Sequence, residues 1–179
     1  MKGRLRMNST HRWLLPLLLV AGVCTAAVAQ EPKDREIAAL REEIATLRGM
    51  LPSQSHTMMD VEFHFANLWF AGKARNWPLA TFYFNETRQH LNWAVRVVPV
   101  RRLAGGGQLD LRPMLKGIEE SGLAPIKAAI DKSDGAAFEA AYRQMLNQCV
   151  ACHTAAEKPY LRPQIPKAPP SPLIDMTPQ

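Results

Sequence analysis

The chain has 179 residues, a length that suits one domain. Its formal net charge of +6 is modest, and four of its basic residues, with no acidic one, lie within the first 29 positions. Removing those four leaves +2 for the rest of the chain. So small a charge supports neither nucleic-acid binding nor adhesion to a membrane surface.

The first 29 residues have the pattern of a secretory signal peptide. A basic start is followed by an apolar run over 14–23, and Ala27-x-Ala29 provides a small-residue cleavage site. The apolar run is too short to span a membrane, so we expect cleavage after Ala29 and no stable membrane insertion afterwards. Cleavage also removes Cys24. The mature chain then keeps two cysteines.

Residues 30–52 are predicted to form a separate amphipathic helix. Its apolar residues recur at alternating steps of three and four positions, at Ile37, Leu40, Ile44, Leu47 and Leu51. This pattern covers about two heptads and has two interpretations. The helix packs on its own domain, or residues 33–51 form a short coiled coil that joins two copies of the chain. Two heptads are marginal for an independent coiled coil.

Four further helices are predicted within residues 55–158, at about 55–73, 78–98, 110–132 and 135–156. Pro78 suits a first turn, and Asp110 and Asp134 suit N-caps. Gly122 and Pro125 are expected to kink the third helix or to break it in two. The second helix is predicted to turn an aromatic-rich face inward: Leu79, Phe82, Tyr83, Glu86, His90, Trp93, Ala94 and Val97.

The predicted fold class is therefore all-α. Short loops favour an antiparallel four-helix bundle, preceded by the amphipathic helix. No strand is predicted, and Pro99 with Gly105 to Gly107 indicates a loop. Residues 159–179 form a proline-rich tail, for which we expect a loose terminus rather than a packed segment.

The motif Cys149-Val150-Ala151-Cys152-His153 is a C-x-x-C-H sequence, the attachment signature of a c-type haem. On a helix its two thiols and the imidazole point the same way. The thiols of Cys149 and Cys152 can then bond to the two vinyl groups of one haem, and His153 can donate Nε2 to the iron. The alternatives are a thioredoxin-like redox pair and half of a zinc site. No βαβ pattern accompanies the motif, and no Cys or His follows it.

A haem motif on the last helix resembles the class II c-type cytochromes, the cytochrome c prime-like family. The stretches 67–72 (NLWFAG), 76–80 (NWPLA) and 160–163 (YLRP) are also similar to a periplasmic subgroup of these proteins. The resemblance covers about residues 55–165. It implies a single covalent haem c, a periplasmic location, and a first bundle helix that covers the distal face of the haem. In such proteins the sixth iron site is either empty or filled by methionine.

Helical geometry indicates a candidate for the distal iron ligand on that first helix. At 100° per residue, Met58 lies within the same arc of about 100° as Val61, Phe65, Leu68 and Trp69. We therefore predict Met58 as the distal ligand, with His64, at the edge of the arc, as second choice. Met58 as simple core filler is the alternative. Trp69 and Tyr142 are candidates to pack on the porphyrin.

These features predict a periplasmic electron-transfer protein that serves redox partner proteins. No acid/base pair, nucleophile constellation or nucleotide loop is evident, so we do not expect an enzyme. The alternative is a five-coordinate haem protein that binds or senses nitric oxide or carbon monoxide. A third interpretation is a subunit tethered to a larger assembly through the predicted coiled coil and the tail.

Overall fold

The computed structural model describes the backbone of residues 14–178 and the side chains of residues 32–178. All side chains of the predicted signal peptide, residues 1–29, therefore lie outside the description, as does the backbone of residues 1–13. The described chain is mostly helical, with one small sheet. Its elements are α1 (Leu14–Met50), α2 (Gln54–Lys73), α3 (Trp77–Val97), β1 (Val100–Arg102), β2 (Gln108–Asp110), α4 (Leu111–Ile118), a π-turn (Glu119–Leu123), α5 (Ala124–Asp131) and α6 (Gly135–Ala155).

The chain divides after Leu51 into two compact units. The first is built by α1, and the helix predicted over 33–50 is the C-terminal part of α1. The five residues of its apolar seam are 44–55% exposed, so the seam is not buried: Ile37, Leu40, Ile44, Leu47 and Leu51. In the part of the chain that the structure describes, no helix is both long and apolar enough to cross a membrane.

In the second unit, α2 and α3 pair antiparallel across a three-residue turn. The side chain of Asn76 accepts a hydrogen bond from the backbone N–H of Leu79, and Pro78 occupies the first turn of α3, as predicted. At the other end of the pair, the Gln54 side chain donates to the carbonyl of Ala94 at 3.1 Å. The start of α2 is thereby held against the end of α3.

Local signals also define the helices that follow. Asp110 and Asp134 cap α4 and α6 through hydrogen bonds from the backbone N–H groups of Arg112 and Ala137. The irregularity predicted near Gly122 is a π-helical turn, and the backbone stays helical from α4 through this turn into α5 rather than being broken in two. Each of these boundaries follows from a cap or a breaker a few residues away.

Close packing joins α2 to α6. The two helices run antiparallel, since Gly72 at the end of α2 meets Phe138 near the start of α6, while Phe65 stacks on Tyr142 at 4.1 Å between ring centroids. A Cβ atom at position 72 would lie 2.2 Å from the Phe138 ring, so only glycine permits this approach. The segment from α4 to α5 packs on α3 and α6.

One expectation about the region from α3 to α4 is wrong. The stretch without a predicted strand contains an antiparallel hairpin, in which Val100 pairs with Asp110 and Arg102 with Gln108.

The predicted inner face of α3 holds only in part. Tyr83 and Ala94 are buried as expected, whereas Phe82 is 51% exposed and Trp93 is 37% exposed. The buried residues of α3 are Ala80, Tyr83, Phe84, Thr87, Leu91 and Ala94. The face that is buried depends on the helices that pack against α3, which the spacing of its residues alone does not specify.

The proline-rich tail is packed, contrary to the expected loose terminus. The side chains of Ile165 and Met176 pack against the core. The Asn76 side chain donates hydrogen bonds to the carbonyls of Met176 and Thr177 at 3.4 and 3.1 Å. The tail therefore lies on the helical unit.

Candidate functional site

The C-x-x-C-H motif lies in the last two turns of α6. The helix continues to Ala155, so Cys149, Cys152 and His153 keep the i, i+3, i+4 spacing that directs them to one side. Both cysteines are partly buried against the core, and neither is in a disulfide. The helix end is closed by a hydrogen bond from the N–H of Ala156 to the carbonyl of Cys152 at 2.9 Å.

The surroundings of the two thiols disfavour a redox pair. Burial, together with the neighbouring Cys152, raises the pKa of Cys149 to about 12. Burial also raises the pKa of Cys152, and the positive charge of Arg101 opposes that effect. A thioredoxin-like pair requires a thiolate of lowered pKa. At neutral pH these cysteines are therefore protonated thiols, unlike the reactive cysteine of a thioredoxin-like pair.

His153 is oriented by the chain that follows α6. The residues after the helix turn back, and the ring Nδ1 lies 2.8 Å from the backbone carbonyl of Leu161. A carbonyl oxygen only accepts hydrogen bonds, so Nδ1 carries the proton and Nε2 keeps a free lone pair. This is the usual arrangement of a metal-binding histidine, whose other nitrogen is held by a carbonyl or carboxylate. The N–H of Leu161 bonds to the carbonyl of Lys158 at 3.0 Å and fixes the turn.

Met58 lies near the start of α2, two turns before Phe65. Cys149 lies two turns after Tyr142 on α6. Because Phe65 stacks on Tyr142 and the two helices run antiparallel, continuation of this register would bring Met58 level with Cys149. Met58 is half-buried and packs against the core, whereas the neighbouring Met59 is 63% exposed.

Trp69 and Tyr142 belong to an aromatic cluster in the middle of the unit. Their ring centroids are 4.9 Å apart, and each also contacts Phe138. The Tyr142 hydroxyl donates to the carbonyl of Phe65 at 2.9 Å. Both rings are buried, and Tyr142 lies two helical turns before Cys149. The structure gives these rings a packing role.

His64 faces α3. Its ring stacks on His90 with a centroid distance of 4.8 Å and lies 6.1 Å from Tyr83. Phe65, the next residue, stacks on α6 through Tyr142. Neighbouring positions of α2 thus pack against different helices. The structure does not bring His64 together with the motif, and it groups this side chain with residues of α3 instead.

Arg101, on strand β1, is a site residue that the sequence reasoning missed. Its charge acts on Cys152, and its guanidinium donates to the Gln54 side chain. The Nε of Arg101 is buried and has no hydrogen-bond partner among the described residues. An unpaired, buried cationic N–H of this kind suits a hydrogen-bond acceptor, most strongly an anionic one. Nothing in the sequence pointed to it, because the hairpin was not predicted.

Comparison with known proteins adds no further assignment: no protein-family model, curated protein or solved structure matches the chain.

Proposed function

We propose that this chain is a periplasmic monohaem c-type cytochrome that transfers electrons between redox partner proteins. The observation that carries the proposal is the geometry of the motif. Two thiols and an imidazole project from one side of the end of α6, and the Leu161 carbonyl leaves Nε2 of His153 free for a metal.

In this proposal Cys149 and Cys152 hold the haem through thioether bonds, and Nε2 of His153 is the proximal ligand. The haem supplies reversible one-electron exchange between ferrous and ferric iron. The chain binds the group, orients the imidazole and limits access of water; it catalyses no reaction of its own.

We further propose that the helical unit is an antiparallel four-helix bundle. The packing of α2 on α3 and α6, and of the segment from α4 to α5 on the same two helices, supports this arrangement. The exposed seam of α1, 44–55% exposed at each position, supports the related proposal that residues 33–51 join two copies of the chain.

Met58 is the proposed distal ligand. The register of α2 against α6 and the partial burial of its side chain favour it over His64, whose ring packs towards α3. Met58 and His153 would then supply two iron ligands, a thioether and an imidazole, and this pair would raise the reduction potential of the haem. Such a site exchanges electrons and leaves no open position for a gas.

The first test counts and locates the cofactor. The protein is expressed with its signal sequence in a host that matures c-type cytochromes, and the periplasmic fraction is analysed by mass spectrometry. We expect the mass of the mature chain plus one haem. Replacing Cys149 and Cys152 together by serine should remove that additional mass. A wild-type chain without covalent haem would refute the proposal.

The second test identifies the sixth ligand. The reduced wild-type protein should give a low-spin absorption spectrum that carbon monoxide does not change rapidly. Met58→Ala should become high-spin and bind carbon monoxide, while the exposed control Met59→Ala should retain the wild-type spectrum. A wild-type spectrum that is high-spin and shifts at once with carbon monoxide favours the gas-binding alternative. An unchanged spectrum in Met58→Ala excludes Met58 as the ligand.

A further inference from the structure

A second group of metal-ligating side chains lies on the face between α2 and α3. It consists of His64 on α2 and Glu86 and His90 on α3, and the three residues offer ligand atoms that all lie within 4.8 Å of one another. Glu86 and His90 are one helical turn apart, so they share a face of α3. Neither belongs to the proposed haem site.

The imidazole of His64 is not committed to a structural hydrogen bond at Nδ1. That atom is buried and has no partner among the residues that the structure describes. Leaving a buried polar atom unpaired costs free energy, so native structures usually give such an atom a ligand or a hydrogen bond. Burial and the neighbouring His90 lower the pKa of His64. Their combined effect is larger than the opposite effect of the carboxylates of Glu86 and Asp60.

Two carboxylates complete the surroundings of His90. Oε2 of Glu86 lies 3.8 Å from Nε2 of the ring, and Oδ2 of Asp60 lies 3.6 Å from Nδ1. Both distances exceed those of hydrogen bonds. The side chains of His64, Glu86 and His90 are all partly exposed, so a cation can reach them from solvent.

We propose that His64, Glu86 and His90 bind one divalent transition-metal cation of the zinc and copper class. Two imidazoles and one carboxylate form a donor set used in protein zinc sites, with a fourth position left for water. Nε2 of His90 lies on the Glu86 side of the ring and is its ligand atom. Asp60 then accepts a hydrogen bond from Nδ1 of His90 and orients the ring. The proposal does not depend on the presence of haem.

Binding requires a small closure of these side chains. Metal–ligand distances of about 2.0–2.1 Å in a tetrahedral site place the donor atoms roughly 3.3–3.4 Å apart. The present upper limit of 4.8 Å is wider, and the two imidazole rings are nearly parallel at 18°. A rotation of the partly exposed His90 ring brings the lone pairs towards a common point. The backbones of α2 and α3 can remain in place.

Isothermal titration calorimetry with Zn²⁺ tests this site on the mature protein after dialysis against a chelator. We expect one Zn²⁺ per chain, with at least tenfold weaker binding in His90→Gln, in His64→Ala and in Glu86→Gln. The matched control is His56→Ala, which removes an exposed histidine of α2 whose Nδ1 lies 2.9 Å from the Ser53 hydroxyl. Its affinity should equal that of the wild type. Circular dichroism checks that each variant is folded.

Cu²⁺ provides an independent measurement. The electron paramagnetic resonance spectrum of the bound Cu²⁺ should show coupling to two nitrogens, and His90→Gln should remove one of them. Failure of the wild type to bind Zn²⁺, or equal affinity in the wild type and the folded His90→Gln variant, would overturn the proposal. So would a change of the haem spectrum from low-spin to high-spin in His64→Ala, because His64 would then be an iron ligand.

Discussion

Truncating the tail separates the role of the Leu161 carbonyl from that of the remaining tail. A chain that ends at Pro159 loses the acceptor that lies 2.8 Å from Nδ1 of His153, whereas a chain that ends at Pro166 keeps it. Both variants lose Met176 and its contact with the core. The difference between the two truncated proteins therefore reports on residues 160–166.

The expected difference in reduction potential follows from the free energy of this hydrogen bond. A bond from Nδ1–H makes the imidazole a stronger donor to iron and so favours the ferric state. The net free energy of one hydrogen bond is about 0.5–1 kcal/mol, and we take the preference for the ferric state to be of this size. In a one-electron equilibrium a tenfold change corresponds to about 59 mV. Loss of the hydrogen bond should therefore raise the reduction potential by about 20–45 mV. We therefore expect a higher potential for the chain ending at Pro159 than for the chain ending at Pro166.

Spectroelectrochemical titration of the two haem-loaded truncations measures this difference directly. Equal potentials would refute the role given to the Leu161 carbonyl. A lower potential for the shorter chain would also refute it, because the hydrogen bond would then favour the ferrous state. The half-buried Ile165 is lost only from the shorter chain. Thermal unfolding of both variants shows whether that loss of packing has unfolded the protein rather than altered the histidine.

Three further predictions concern assembly, packing and charge. Deleting residues 31–51 should halve the mass measured by light scattering if the seam joins two copies; an unchanged mass would reject the dimer. Gly72→Ala should destabilise the protein by about 1–3 kcal/mol in urea unfolding, because the new methyl group overlaps the Phe138 ring. At Gly117 a new methyl group would have nothing within 4 Å. Gly117→Ala should therefore stabilise α4 by about 0.5–1 kcal/mol. Equal effects of the two glycine substitutions would contradict the packing described. Arg101→Gln should lower the reduction potential of the haem, because it removes a positive charge beside Cys152. An unchanged potential would show that the charge of Arg101 does not act on the haem.

The helix boundaries were predictable because their causes are local. Asp110 and Asp134 each cap a helix whose first residue is the next in sequence, and the irregularity near Gly122 needs no partner to be anticipated. The spacing of the cysteines and His153 is likewise a property of five consecutive residues. The face of α3 was not predictable in this way. Burial there depends on which helix packs against it, and the exposed Phe82 shows that side-chain hydrophobicity alone does not decide it.

The sequence by itself determined that the chain is mainly helical, where most helices begin, and that a C-x-x-C-H motif ends the last one. Only the tertiary structure decided what surrounds that motif. The carbonyl of Leu161 and the guanidinium of Arg101, whose Nε has no partner among the described residues, come from other segments of the chain. Their positions depend on a hairpin and on helix packing between residues far apart in sequence. The same packing turns His64 towards His90, which a helical wheel of α2 could not reveal.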